Sequence, residues 1–318
     1  MNSHDQQQQE TSISIIGGGS IGVGFAIVHA RAGHAVRVFD PDADRRADLL
    51  DTVLRILGEL AQFGLAGIPV ERIIQNVEVV DSLEQAVADS ALVHECAPED
   101  LELKRNLVTQ LDRAAEDDTI IASASSAITT TQFAAHAKGR HRFLVAHPGN
   151  PPFLIPVVEV VPATFTKPDA VDATMRILTA AGMSPIRLHR EVPGFVFNRL
   201  QGALLREAYC LVRDGVVGVD DLDRIVRDGL GLRWSVIGPF ETVDLNTDGG
   251  IERHAKLLGP AYERMGAERG QHDPWTPELV ERVTAERRQL LPLDKRPDRI
   301  RWRDRQLMRL LAARRTDA

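Results

Sequence analysis

The spacing of apolar residues changes period repeatedly along the first 190 positions. Residues 11–16 (TSISII) form a β-branched run that ends in small residues, and helical apolar spacing follows over 21–31, which predicts strand, Gly-rich turn and helix. A second strand is expected at 35–40 (AVRVFD), then helices at about 49–63 and 69–74. Strands at 77–80, 92–96, 119–122, 143–146 and 157–161 follow, with helical patterns at 83–88, 101–115 and 131–137 among them. Such alternation predicts a mostly parallel, doubly wound sheet, because right-handed crossovers lay helices on both of its faces. After Pro193-Gly194 the period becomes helical throughout, beginning with one long amphipathic stretch over 195–213. The expected organisation is a polar, disordered leader over 1–10, a Rossmann-type α/β domain over 11–192 and an all-α domain over 193–318. The Arg-rich stretch 299–315 reads as one more helix with a solvated face.

Composition narrows the range of partners. At 318 residues and 43% hydrophobic, the chain is long enough for two cores. Its 38 basic and 45 acidic residues give a net charge of -7, which points away from nucleic acid and toward a small-molecule ligand. Cys96 and Cys210 are the only cysteines, so neither a disulfide framework nor a CxxC metal site is expected, and a reducing cytoplasm fits. The first ten residues lack the apolar core of a signal peptide, and no apolar run is long enough to cross a bilayer.

Candidate chemistry begins at the first turn. Gly17-Gly18-Gly19-Ser20-Ile21-Gly22 satisfies G-x-G-x-x-G between a strand and a helix, and Gly24 adds a further small residue. Gly17 allows the tight turn, Gly19 lets a pyrophosphate approach the backbone, and Gly22 lets the helix close on the strand, with Ser20 and Ile21 opening the helix N-terminus. Asp40, at the end of the second strand, is placed to accept hydrogen bonds from ribose hydroxyls and to repel a 2′-phosphate, so NAD is expected rather than NADP. Arg45 and Arg46 stand close enough in sequence to keep NADP open.

Three further segments carry unusual residues for their position, the first two just past strands, at the carboxyl edge where ligands bind in open α/β folds, and the third on the first turns of the long helix. They are Ser123-Ala124-Ser125-Ser126, then Ala146-His147-Pro148-Gly149-Asn150 with Glu159 in PVVEVV beyond it, and Asn198 in GFVFNRL. Oxidation of an alcohol by hydride loss requires a base for the hydroxyl proton, and His147 is the candidate. Glu159 is its expected partner, fixing the tautomer and stabilising the imidazolium. Ser126 and Asn198 would hold the substrate oxygen.

With these residues, the chain resembles the 3-hydroxyacyl-CoA dehydrogenase superfamily, most closely its L-gulonate 3-dehydrogenase or lambda-crystallin branch. The resemblance runs nearly end to end through HECAPEDLELK, VAHPGNPPFLIPVVEVVP, GFVFNRLQGALLREAYCLV and GLGLRWSVIGPFETVDLN. It implies an active site of Ser126, His147, Glu159 and Asn198, and NAD contacts from the Gly17–Gly22 loop, Asp40, Glu99 and Lys104. It also implies a homodimer formed through the helical domain, where Trp234 and Phe240 would serve either as contact residues or as core.

The acyl-CoA enzymes usually have an aromatic residue where this chain has Gly149, and a lysine-rich arm after the second strand, whereas residues 41–103 here contain no lysine. Arg233, in GLGLRW, suits a free carboxylate because guanidinium grips one bidentately. The expected reaction is NAD-dependent oxidation of the C3 hydroxyl of an L-gulonate-like acid. The alternatives are action on an L-3-hydroxyacyl-CoA, or an idle NAD-binding protein kept for a structural role of the crystallin kind.

Overall fold

In the computed structural model, residues 11–270 and 276–300 are described, together with Trp302, Gln306 and Ala313. The expected leader over 1–10 and most of the expected tail helix lie outside the described residues. The chain divides into two compact units, one up to Leu204 and one from Leu205.

The first unit is built on an eight-stranded sheet in the order β3-β2-β1-β4-β5-β6-β7-β8. Six of its strands run parallel: β1 (Ser12–Ile16), β2 (Ala35–Phe39), β3 (Val77–Val79), β4 (Leu92–Glu95), β5 (Ile120–Ser123) and β6 (Phe143–Pro148). The chain then reverses: β7 (Val157–Pro162) runs antiparallel to β6, and β8 (Ser184–Arg187) pairs parallel to β7. Helices α1 (Ser20–Arg31), α2 (Ala43–Gln62), α3 (Val70–Ile74), α4 (Leu83–Val87), α5 (Leu101–Ala114), α6 (Thr130–Ala134) and α7 (Pro168–Ala180) connect the strands. Two apolar cores result. One packs Phe25, Ile27, Leu57 and Ile73 against one set of alternating strand positions, and the other packs Leu111, Phe133, Phe143 and Phe195. The helix α8 (Phe197–Arg213) starts in this unit.

The seven strands expected from β-branched runs are all present. Helix α2 begins at Ala43, ahead of the apolar periodicity, because the Asp42 carboxylate accepts the amides of Asp44 (3.0 Å) and Arg45 (3.3 Å) as an N-cap. The elements α7 and β8 were not expected. Helix α7 opens on Pro168, and SPIR in β8 is an edge strand with no buried residue, so it lacks the hydrophobic alternation of its neighbours.

A buried imidazole chain lies beneath the sheet's centre. His29 of α1 meets His94 of β4 through their Nε2 atoms (3.0 Å) and His34 through their Nδ1 atoms (3.0 Å), while Phe25 stacks on His94 at 3.9 Å. Burial lowers the His94 pKa to about 3 and holds His29 well below its ordinary value, with His94 and His34 adding to the effect on His29.

In the second unit, α9 (Val219–Arg224) runs into a π-helical segment (Ile225–Leu230) and α10 (Gly231–Trp234), followed by α11 (Pro239–Asn246), α12 (Gly250–Glu268) and α13 (Pro277–Leu290). Trp234 and Phe240 are 41% and 58% exposed, so neither belongs to a core. Among the described residues, no helix is long and apolar enough to cross a membrane.

Candidate active site

The turn between β1 and α1 forms a cradle. Gly17 has a φ of +113°, and a Cβ there would lie 2.7 Å from the Cys96 carbonyl oxygen; a Cβ on Gly22 would lie 1.8 Å from the Gly17 carbonyl oxygen. At Gly19 a Cβ would meet nothing within 4 Å, which leaves the space above the turn open. No side chain caps α1 and its first turn carries no acidic residue, so its leading amides are available to an anion. Gly24 differs from its expected part: its close neighbour is Pro152 Cδ, 2.6 Å from a would-be Cβ, in the loop after β6.

Asp40 is buried at the end of β2, where one carboxylate oxygen accepts the Gly18 amide (2.7 Å) and the other the Asp42 amide (2.9 Å). A groove of about 840 Å³ runs from this cradle past Asp40, Arg45, Cys96 and Asn106. Burial pushes the Cys96 thiol up, with the Glu95 carboxylate adding to the shift, so this wall of the groove presents no ready thiolate. An open Gly19, an uncapped helix and an oriented carboxylate fit a dinucleotide.

His147 and Glu159 are direct cross-strand partners in the antiparallel β6–β7 ladder. This register brings His147 Nδ1 to 2.8 Å from Glu159 Oε2, with both side chains buried. The second carboxylate oxygen, Oε1, accepts the backbone amides of Val196 (2.8 Å) and Phe197 (3.0 Å) just ahead of and at the start of α8. Burial alone would raise the Glu159 carboxyl, but the hydrogen bonds from His147, Phe197 and Val196 outweigh it and hold the pKa below its ordinary value. The carboxylate therefore stays ionised and fixes the imidazole proton on Nδ1. Nε2 makes no hydrogen bond among the described residues and is free to accept a proton.

Asn198, in the first turn of α8, donates from Nδ2 to the Ser126 carbonyl oxygen (2.9 Å). Ser126 itself is exposed, and its hydroxyl has no partner among the described residues. Of the two residues expected at NAD, Lys104 is buried in the protein, and Glu99 is exposed with one oxygen engaged by a neighbouring loop. Lys104 is 1% exposed, and its ammonium donates to both oxygens of Glu95 (2.9 Å each) and to the Ala97 carbonyl (3.2 Å). A charge so deep persists only when paired, and the pair braces the strand end that walls the groove. Glu99 accepts four hydrogen bonds from residues 125–128 on its Oε1.

Arg233 belongs to the second unit, on the short helix α10. Its Nε is buried without a partner, and among the described residues the guanidinium makes no hydrogen bond or ion pair. Two important residues escaped the sequence reading. Glu95 reads as the end of an apolar strand, yet it binds Lys104, the Ala97 amide and the Ser123 hydroxyl. Phe195 adopts a φ of +48° after Gly194 at +75°, fully buried, with its ring 5.5 Å from that of His147. A bulky residue in the left-handed region is costly, and no local sequence signal announces it.

The family described as 3-hydroxyacyl-CoA dehydrogenase, NAD binding domain, matches residues 12–192, and the corresponding C-terminal domain matches 194–290. A lambda-crystallin homolog of Bos taurus is 39% identical over 267 residues, 80% of this chain and 83% of the relative. An L-carnitine dehydrogenase of Streptomyces griseus is 40% identical over 266 residues, 83% of this chain and 76% of the relative. The solved structure of an NAD+-dependent dismutase, 5-formyl-3-hydroxy-2-methylpyridine 4-carboxylic acid 5-dehydrogenase, superposes with a TM-score of 0.71 at 29% identity, covering 89% of this chain and 97% of that one. With both family domains matched in order over a chain that carries a dinucleotide cradle and a buried His–Glu pair, the chain belongs to the 3-hydroxyacyl-CoA dehydrogenase family, on its lambda-crystallin side, as an NAD-dependent oxidoreductase.

Proposed function

We propose that the chain oxidises the C3 hydroxyl of a free, L-gulonate-like 3-hydroxy acid to the 3-keto acid. The observation that carries this reading is the His147–Glu159 pair, 2.8 Å apart, with Nε2 left free on the imidazole. His147 takes the hydroxyl proton on Nε2, and Glu159 stabilises the imidazolium until the proton passes to solvent. Ser126 Oγ and Asn198 hold the substrate oxygen so that its carbinol C–H keeps one orientation. The amides of Gly19, Ser20 and Ile21, with Asp40, would hold NAD, which would supply the hydride acceptor. The products are then the ketone, NADH and one proton.

Two features favour a free acid over a CoA thioester. Arg233 is a half-buried guanidinium with no partner among the described residues, suited to a carboxylate. A Cβ on Gly149 would stand 2.3 Å from Ile155 Cγ2, so the aromatic residue usual in the acyl-CoA enzymes would have to displace the Ile155 side chain. L-Carnitine, the substrate named for one relative, is likewise a free 3-hydroxy acid. The division of labour we propose is a cofactor domain over 11–192 and a helical substrate and dimerisation domain over 193–318, in a cytoplasmic homodimer.

The test is a panel followed by NADH absorbance: L-gulonate, L-carnitine, 3-hydroxybutyrate and 3-hydroxybutyryl-CoA. Turnover of a free acid is expected. Turnover of the thioester alone would reverse the order of the two readings, and no turnover of any would favour the idle, crystallin-like role.

A further inference from the structure

Ser126 is held at both ends of its peptide unit and left free only at its hydroxyl. Its carbonyl oxygen accepts from Asn198 Nδ2 (2.9 Å), and its amide donates to Glu99 Oε1 (3.1 Å). The same Glu99 oxygen also accepts the amides of Ala127 (2.8 Å) and Ile128 (3.1 Å) and the Ser125 hydroxyl (2.7 Å). Three consecutive amides that converge on one point make a concave anion site, and here a carboxylate of the same chain fills it. Glu99 stands on a firm base, because the next residue, Asp100, caps α5 by accepting the Leu103 amide (2.8 Å).

We propose that Glu99 is a positioning residue for Ser126: its carboxylate winds the 125–128 loop into the one shape that presents the Ser126 hydroxyl to the substrate oxygen. This inference rests on the reading of Ser126 as a substrate ligand given above. Glu99 Oε1 has its acceptor capacity filled by the loop, so the structural task comes first whatever Oε2 touches.

The experiment is a double-mutant cycle on the full-length protein with L-gulonate and NAD, alongside NADH affinity by fluorescence titration and hydrogen exchange of the cofactor-free protein. Ser126→Ala is expected to lower kcat/KM by roughly 10- to 100-fold, the scale of losing one positioned donor. Glu99→Ala should cost about as much alone and add almost nothing in the Ser126→Ala background, since it acts through that hydroxyl. Its NADH dissociation constant should stay within about threefold, while the amides of 126–128 exchange faster. Glu99→Gln, which keeps an acceptor oxygen for the loop, should recover most of the activity.

Losses that add fully across the cycle, with NADH binding weakened tenfold or more and exchange unchanged, would overturn the proposal and make Glu99 a cofactor ligand. If Ser126→Ala alone leaves turnover unchanged, the substrate role of Ser126 falls instead. The exchange of 126–128 still decides what Glu99 holds.

Discussion

Replacing Glu159 by glutamine tests the site at its most exacting point. The two carboxylate oxygens serve different partners: Oε2 takes the His147 Nδ1 proton, and Oε1 takes the amides of Val196 and Phe197. An amide has one oxygen for these two tasks. If the oxygen faces the two backbone amides, the NH2 group faces His147, whose Nδ1 must then accept; its proton moves to Nε2 and the base is disabled. The opposite orientation keeps the tautomer but sets NH2 against two part-buried N–H groups.

That second arrangement forfeits two hydrogen bonds worth about 1 kcal/mol each and sets two donors against a third at the low end of the unsatisfied-donor cost, about 1 kcal/mol, so it lies some 3 kcal/mol above the first. At about 1.4 kcal/mol per decade, on the order of one molecule in a hundred keeps the active tautomer. Loss of the negative charge opposite the imidazolium lowers turnover further. The expected result for Glu159→Gln is a kcat down by at least about 10²-fold, with folding and NADH affinity close to wild type. Stopped-flow NADH formation measures the rate, and nitrogen chemical shifts of the His147 ring report which atom carries the proton. A kcat within a few-fold of wild type, or a proton still on Nδ1, would refute the argument.

Three other outcomes are expected. Asp40→Ser should relax the preference for NAD by about tenfold or more, because the carboxylate that repels a 2′-phosphate is gone while Arg45, 54% exposed and 3.7 Å from it, becomes available; steady-state kinetics with both cofactors decide, and unchanged selectivity counts against Asp40. His29 and His94 have depressed pKa values in the folded protein, so below about pH 6.5 the unfolded chain binds protons that the folded one refuses, and stability falls with pH by up to ~1.4 kcal/mol per pH unit per histidine. Urea titrations between pH 7 and 4.5 should give a shallower decline for His94→Phe than for wild type, and parallel declines would dismiss the imidazole chain as the cause. Gly22→Ala should abolish NADH binding, since its methyl group would sit 1.8 Å from the Gly17 carbonyl oxygen; binding near wild type would show that the turn can open.

Much of the frame is legible in the chain because parallel strands buried on both faces are written as runs of Val, Ile and Ala. The runs SISII, AVRVF and FLVAHP announce themselves. SPIR in β8 does not, since an edge strand has little to bury. The fingerprint glycines and Asp40 were readable because backbone geometry demands those residue types at those offsets.

What escaped depends on partners remote in sequence. Nothing in LVHE tells that Glu95 receives Lys104, and nothing in VPGF tells that Phe195 takes a left-handed backbone beside His147. The charge on Glu99 was noticed, but its acceptors' direction was not. A carboxylate that can reach a ribose is indistinguishable in sequence from one wrapped by its own loop.

The ladder that joins β6 to β7 has an evolutionary consequence. Because five rungs of backbone pairing set His147 across from Glu159, with the Gly149 amide donating to the Val157 carbonyl (2.9 Å) just beyond them, the tip of the intervening stretch adds little to aligning the pair. Leu154, 53% exposed in that stretch, is thus free to be exchanged by selection without disturbing proton transfer. A lineage built on this plan can change what it oxidises while leaving untouched the means by which it oxidises.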